Sequence, residues 1–229
     1  MDKLIDFHAH ILPDADHGSD GRRTSAEQLK MIAAANVDTV VATPHFYPHR
    51  HTVASFLARR EKAFSELKDI TFDGAPQVIQ GAEVLVCEGL SAMEGLDRLT
   101  VKGTDTILLE MPLSSWTSGL LDTVEEIYKS ELTPVMAHID RYPQRAVLEL
   151  LEIGVAAQLN ADSLCRFFDR RKLLRYVEDG RVVAIGSDLH GAKNGGYAKF
   201  TKACKYLGGA LPEIMKKSEG LITPSVIFS

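Results

Sequence analysis

The chain has 229 residues, room for one sizeable domain or two small ones, and its 45% hydrophobic and 25% charged residues exclude disorder. A net charge of −5 argues against a nucleic-acid or membrane-surface partner held by bulk electrostatics, but not against a local cationic pocket. Cys87, Cys165 and Cys204 form neither a disulfide framework nor a metal-like spacing, and no apolar run is long enough to span a bilayer, so a cytoplasmic protein without membrane insertion is expected.

The first run, Lys3 to Phe7, reads as a strand that delivers His8 and His10 and then an Asp-, His- and Gly-rich turn holding His17. Side chains two apart on an extended chain share a face, so both imidazoles can reach one metal. Thr24 with Glu27 predicts a capping box ahead of an amphipathic helix through Leu29, Met31, Ile32 and Ala35. Val37 to Ala42 predicts a strand running into Thr43-Pro44-His45. Helical periodicity follows from Val53 to Leu67, with Phe56, Leu57, Phe64 and Leu67 as its buried stripe. Val78 to Glu83 and Ile107 to Glu110 read as strands ending in carboxylates, the second stopped by Pro112. A loop from Ser114 to Gly119 carries the single tryptophan, Trp116, and a helix covers Leu120 to Lys129.

Pro134 to His138 is again a strand ending in histidine, and Pro143 suits the first position of a helix through Leu151. Val155 to Leu159 is a strand ending in Asn160, Leu164 to Glu178 one helix, and Val182 to Asp188 a strand leading to His190. Helices over Tyr197 to Leu207 and Leu211 to Lys217 close the chain. Seven strand-like runs alternating with helices imply a parallel sheet with helical crossovers. Ligand-type residues after so many strands favour a barrel, which gathers all strand C-termini at one mouth.

Nine residues stand at or just beyond strand ends: His8, His10, His17, His45, Glu83, Glu110, His138, Asp188 and His190. Imidazole and carboxylate together suit zinc, manganese or iron, and nine donors exceed the need of one ion, so two to three divalent metals are implied. His49 and His51 read as loop residues. Cys165 and Arg171 match the Cys-x5-Arg spacing of cysteine-dependent phosphatases, but bulky residues in a helical pattern separate them, where a phosphate-cradling loop is needed.

His8-Ala9-His10, the Asp-His-Gly turn, Thr43-Pro44-His45, Gly81-Ala82-Glu83, Glu110-Met111-Pro112, Ala137-His138 with Arg141-Tyr142, Leu159-Asn160-Ala161 and Ser187-Asp188-Leu189-His190 resemble the PHP (polymerase and histidinol phosphatase) superfamily. Within it the chain is most similar to bacterial manganese-dependent protein-tyrosine phosphatases of capsule and exopolysaccharide operons. The resemblance runs over nearly the whole chain. It implies a single domain over residues 1–229, a distorted seven-stranded (β/α)7 TIM-like barrel of PHP type, and a trinuclear site. His8, His10, Glu83 and Asp188 would hold one metal, with Glu83 bridging to a second on Glu110 and His138, and His17, His45 and His190 would hold the third. Two departures stand out. Those phosphatases carry Asp where this chain has His17, which would shift metal preference toward zinc. Arg141 matches their phosphate-binding arginine, but a second one expected after the Asp-x-His pair is missing, and Lys193 stands nearby instead.

The resemblance implies phosphomonoester hydrolysis by metal-activated water. Arg141 and Lys193 would neutralise phosphoryl oxygens, Asp140 or His49 would protonate the leaving oxygen, and Trp116 and Phe46-Tyr47 would flank an aromatic ring. The implied partner is a phosphotyrosine protein, the tyrosine-rich tail of a bacterial tyrosine kinase, with the oligomeric state left open. The alternatives are a small-molecule phosphatase, such as a histidinol-phosphate phosphatase, and a non-catalytic metal-stabilised module, against which the full ligand set speaks.

Overall fold

The computed structural model describes residues 3–70, 72–113, 116–192 and 196–224. In chain order the elements are β1 (Ile5–His10), α1 (Arg22–Ala34), β2 (Thr39–Ala42), β3 (His45–Phe46), α2 (Val53–Lys68), β4 (Gln77–Gln80), β5 (Glu83–Leu85), β6 (Thr106–Glu110), α3 (Ser118–Tyr128), β7 (Thr133–Met136), α4 (Gln144–Ile153), β8 (Ala156–Asn160), α5 (Ala161–Cys165), α6 (Phe167–Glu178), β9 (Val182–Gly186), β10 (Leu189–His190), α7 (Gly196–Leu207) and α8 (Leu211–Ile222). The strands form two sheets, β10-β1-β2-β4 and β3-β5-β6-β7-β8-β9, in which every pairing is parallel. The expected α/β class with parallel strands and helical crossovers is therefore present.

Ten strands are found among the described residues where the pattern predicts seven runs, because three runs break near their C-terminal ends. β2 and β3 are separated by Thr43-Pro44, where proline offers no N–H to a ladder. β4 and β5 part at Gly81-Ala82. β9 and β10 part at Ser187-Asp188, with Asp188 at φ 50. Backbone bonds continue across the breaks: Thr43 N–H donates to Ala9 O, Gly81 N–H to Ala42 O and Asp188 N–H to His8 O. Each break re-aims the chain immediately before a candidate ligand.

Buried apolar side chains fall into two clusters. A small one holds Phe7, Val41, Leu108, Val135 and Ala184 from five strands, and a larger one packs the sheets against the helices. On β6, Ile107 and Leu109 belong to the helix side and Leu108 to the small cluster, so Glu110, two residues on, shares the face of Leu108.

Three local expectations are corrected. The Thr24/Glu27 capping box is absent: α1 starts at Arg22 after a Gly21 N-cap at φ 132, and Thr24 sits inside the helix, its hydroxyl donating to Asp20. The helix predicted from Leu164 to Glu178 is two helices, because Arg166 is extended. On α2 the buried stripe is Val53, Phe56, Arg60, Ala63 and Leu67, with Leu57 and Phe64 only partly covered. Arg60 is tolerated there because its guanidinium donates to Gly81 O and Arg98 O.

Candidate metal centre

β1 is buried along its whole length, so its histidines enter the site with no solvent around them. His8 Nε2 and His10 Nε2 lie 3.1 Å apart, which the spacing of two requires if they are to converge. Glu83, at the start of β5, is the hub. Its Oε2 lies 3.2 Å from His8 Nε2, 3.2 Å from His10 Nε2 and 3.0 Å from His45 Nδ1, and its Oε1 lies 2.6 Å from His138 Nε2. Glu110 stands 3.7 Å from both His45 and His138, and Asp188 Oδ1 3.4 Å from both His10 and His190. Four sets each bring their donor atoms within 4.8 Å: His10/His45/His190, His8/His10/Asp188, His8/Glu83/His138 and His45/Glu83/Glu110.

These donors fit divalent cations. Glu83 Oε2, His45 Nδ1 and His190 Nε2 are buried without a hydrogen-bond partner, although donors and acceptors stand close by. Lone pairs converging in this way are the arrangement of co-ligands around shared ions. The field agrees. Burial pushes His8 and His10 toward neutrality, but Glu83 and Asp188, joined at His10 by Asp16, outweigh it and raise both. Burial likewise opposes ionisation of Glu83, yet His8, His10, His138 and His45 hold it well below the carboxylate range. Asp188 is held down by His8, His10 and Arg141 against its burial. Glu110 is raised by burial and by neighbouring Glu83. Burial and His10 bring His190 down to about 4, leaving it neutral with a free lone pair at pH 7.

An outer ring of polar groups orients the donors. Asp16 Oδ2 accepts from His10 Nδ1 at 2.7 Å and from the His45 amide at 3.0 Å, while its Oδ1 accepts from Gly18 N–H. Gln158 Oε1 accepts the His138 amide at 2.7 Å and lies 3.3 Å from His8 Nδ1. The Tyr142 hydroxyl accepts from Met111 N–H and sits 3.3 Å from His138 Nδ1. Asp6, fully buried, accepts from the amides of His8 and Ser187 and from the Tyr197 hydroxyl, tying β1 to the β9-β10 break.

A model of the family described as capsular polysaccharide synthesis, CpsB/CapC, matches residues 4–213. The chain belongs to the CpsB/CapC family. Among individual relatives of this CpsB/CapC protein, the tyrosine-protein phosphatase YwqE of Bacillus subtilis is 26% identical over 98% of this chain and 94% of its own. The tyrosine-protein phosphatase CpsB of Streptococcus pneumoniae is also 26% identical, over 82% and 83%. A solved structure from work on those two proteins, described as unique metal-dependent tyrosine phosphatases, superimposes with a TM-score of 0.78 at 24% identity, covering 98% of this chain and 96% of that one. The phosphotriesterase homology protein of Escherichia coli, solved with phosphate in its active site, shares the fold more loosely, at a TM-score of 0.54 and 14% identity over 95% and 92% of the two chains.

In this CpsB/CapC protein the predicted donors do not all stand alike. Eight of the nine fall in the four convergent sets, while His17 falls in none and is exposed. Its ring stacks on His45 at 5.0 Å between centroids and lies 4.6 Å from His190. Arg141 pairs with Asp188 and lines a 660 Å³ cavity together with Asp188 and His190. Asp140 borders the same cavity, but both its oxygens are engaged, accepting from Asn160 N–H at 2.8 Å and from the Ser163 hydroxyl at 2.7 Å. Lys193 lies outside the described residues. Phe46 is wholly buried against Phe56 and belongs to the core, whereas Tyr47 stacks on His45 at 5.1 Å. Trp116 donates to Pro112 O and, with Leu113 and Arg141, lines an adjoining cavity of 350 Å³.

Asp16, Gln158 and Asp6 lie outside the nine donors that the sequence pattern marks. Asp16 adjoins His17 in the motif turn, and Gln158 is a polar residue inside an otherwise apolar strand, which is the one sequence signal either offers. Cys165 carries no phosphate cradle: its thiol donates to Lys199 O, and burial raises its pKa.

Proposed function

We propose that the chain is a metal-dependent protein-tyrosine phosphatase of polysaccharide synthesis, as its relatives are named. The observation that carries this reading is the convergence of buried His8, His10, His45, His138 and Glu83 with partly buried His190, Glu110 and Asp188 at strand ends, with unpartnered donor atoms at its centre. Two to three ions, manganese first with zinc and iron as alternatives, would be held by these residues and His17. When bound, such ions lower the pKa of water and neutralise phosphoryl oxygens. Arg141, half-exposed at the cavity, offers its guanidinium to the non-bridging oxygens. Lys193 serves as the second cation. Leu113 and Trp116 wall the neighbouring cavity where the phenyl ring rests. Phenolate leaves readily, so Asp140, with both oxygens already bonded, is spared for holding β8 and α5 in place.

The accompanying fold reading is a single-domain, distorted (β/α)7 barrel. The interrupted strands support it: if β2/β3, β4/β5 and β9/β10 count as one each, the parallel pairings run from β1 round to β10 and back to β1. The substrate is a phosphotyrosine protein, in our reading the tyrosine-rich tail of a polysaccharide-export kinase in the cytoplasm. No helix among the described residues is long and apolar enough to cross a membrane. The test is metal analysis of purified protein, followed by turnover of phosphotyrosine peptides, p-nitrophenyl phosphate and histidinol phosphate with manganese and with zinc. Phosphotyrosine should be preferred. Preference for histidinol phosphate would make it a small-molecule phosphatase, and no turnover with any metal would make the site structural.

A further inference from the structure

α6 opens on Phe167 and Phe168, which are 75% and 91% exposed and are the most exposed aromatic side chains among the described large hydrophobics. Their rings meet edge-on at 5.6 Å, so they stand as one apolar knob. From Arg166 to Arg175 the chain carries five cations and one acid, Asp169, within a protein whose 31 acidic residues outnumber its 26 basic ones. Arg166 is paired with Asp162, but Arg170, Arg171, Lys172 and Arg175 make no ion pair among the described residues. Arg170 instead lies over the rings of Phe167 and Tyr206, where Lys202 adds another positive charge. Phe168, Arg171 and Arg175 follow at helical spacing on the outward face, while Leu173 and Tyr176 face the core.

Folding gains nothing from exposing two phenylalanines. They border a 620 Å³ cavity together with Arg170, Arg171, Arg175 and Glu178, and those arginines have no ion-pair partner among the described residues, so apolar and cationic groups share one open face. That is the chemistry of an interfacial helix: aromatic rings enter the headgroup boundary and guanidinium groups meet anionic lipid. We propose that the start of α6 is a docking surface for an anionic bilayer. The bulk charge of −5 opposes adsorption of the whole protein, so the local patch also fixes its orientation. α6 follows β8 through the short α5, and Arg166, between α5 and α6, lines the 660 Å³ cavity together with Leu113, itself 80% exposed. The docked face therefore lies beside the mouth of the site. This proposal does not depend on the phosphatase reading.

The test is co-sedimentation of the metal-loaded full chain with vesicles of phosphatidylcholine alone or mixed with an equal part of phosphatidylglycerol. Binding is expected to the anionic vesicles only and should weaken with added salt. Phe167→Ser/Phe168→Ser should lower partitioning about tenfold or more, and Arg171→Glu/Arg175→Glu should do likewise, both with unchanged melting temperature because these side chains are exposed. No binding to anionic vesicles, or binding indifferent to both double variants, would overturn the proposal. So would a wild-type dimer that the phenylalanine variant converts to monomer without any vesicle binding, which would assign the patch to a second copy of the chain.

Discussion

Asp16 falls in none of the four donor sets, yet two of the bonds that aim the candidate ligands end on it. It receives the far nitrogen of His10, so it fixes which imidazole nitrogen points inward, and it holds the His45 amide in register. Asp16→Ala should leave the fold intact and weaken metal affinity about 10- to 100-fold, the usual cost of losing an orienting carboxylate, as read by competition with a chromophoric chelator. His17 is a different case. Exposed and stacked on His45, it can be exchanged without a packing penalty, so His17→Asp should remain folded and active while zinc competes less well against manganese. Unchanged metal content and preference would remove His17 from the site. The thiols bear on the rival chemistry. Burial raises Cys165 and Cys87 and pushes Cys204 up to about 11, so at neutral pH none is a ready thiolate. Cys165→Ser should retain full turnover, and iodoacetamide at pH 7 should leave the protein active; loss of activity in a folded, metal-loaded variant would overturn the metal chemistry.

At the level of elements, the strand ends were legible and the strand breaks were not. β-branched and aliphatic runs ending in His, Glu or Asp are a composition signal, and they located β6 and β7 to within two residues and β1 to within three. The breaks are backbone events. At Gly81, an added Cβ would stand 3.0 Å from Val41 Cγ1, and Asp188 and His138 adopt φ 50 and φ 32, conformations that residue identity does not announce. Such angles in Asp and His cluster where a side chain must be delivered to a site. The helix break at Arg166 escaped for the same reason, since Leu164 to Glu178 keeps a helical pattern throughout while Asp140 anchors α5 separately through Ser163. Gly186, the last residue of β9, shows how tightly the elements meet: a Cβ there would lie 2.5 Å from His8 Cβ and 2.7 Å from Gln158 Nε2. Gly186→Ala should therefore cost about 1–3 kcal/mol of stability, measured by urea denaturation, and reduce metal content as His8 is displaced. A variant with wild-type stability and full metal content would show that this contact relaxes at no cost.

Across the whole molecule, the candidate ligands are spread over most of the strand ends, so that parting the ligand-bearing strands at the mouth opens the centre. His8 and His10 come from β1, His45 from β3, Glu83 from β5, Glu110 from β6 and His190 from β10, with His138 just beyond β7. Cations held there would cross-link both sheets, including β3 and β5 on one side with β1 and β10 on the other. Without them, Glu83 repels Glu110, whose pKa is raised by burial and by Glu83 together, so the apo protein carries an unfavourable term that metal removes. Binding to the native state alone stabilises by about 2.7 kcal/mol per site when free metal is 100-fold above Kd. For a chain of this size that corresponds to a rise of about 5–10 °C in melting temperature per filled site. Calorimetry with manganese, with zinc and after chelation should show this spread, and Glu83→Gln should lose most of it, because Glu83 is the carboxylate that stands in two of the four donor sets and touches four imidazoles. If chelator leaves the wild-type melting temperature where it was, the clustered histidines and carboxylates are held by each other and not by ions.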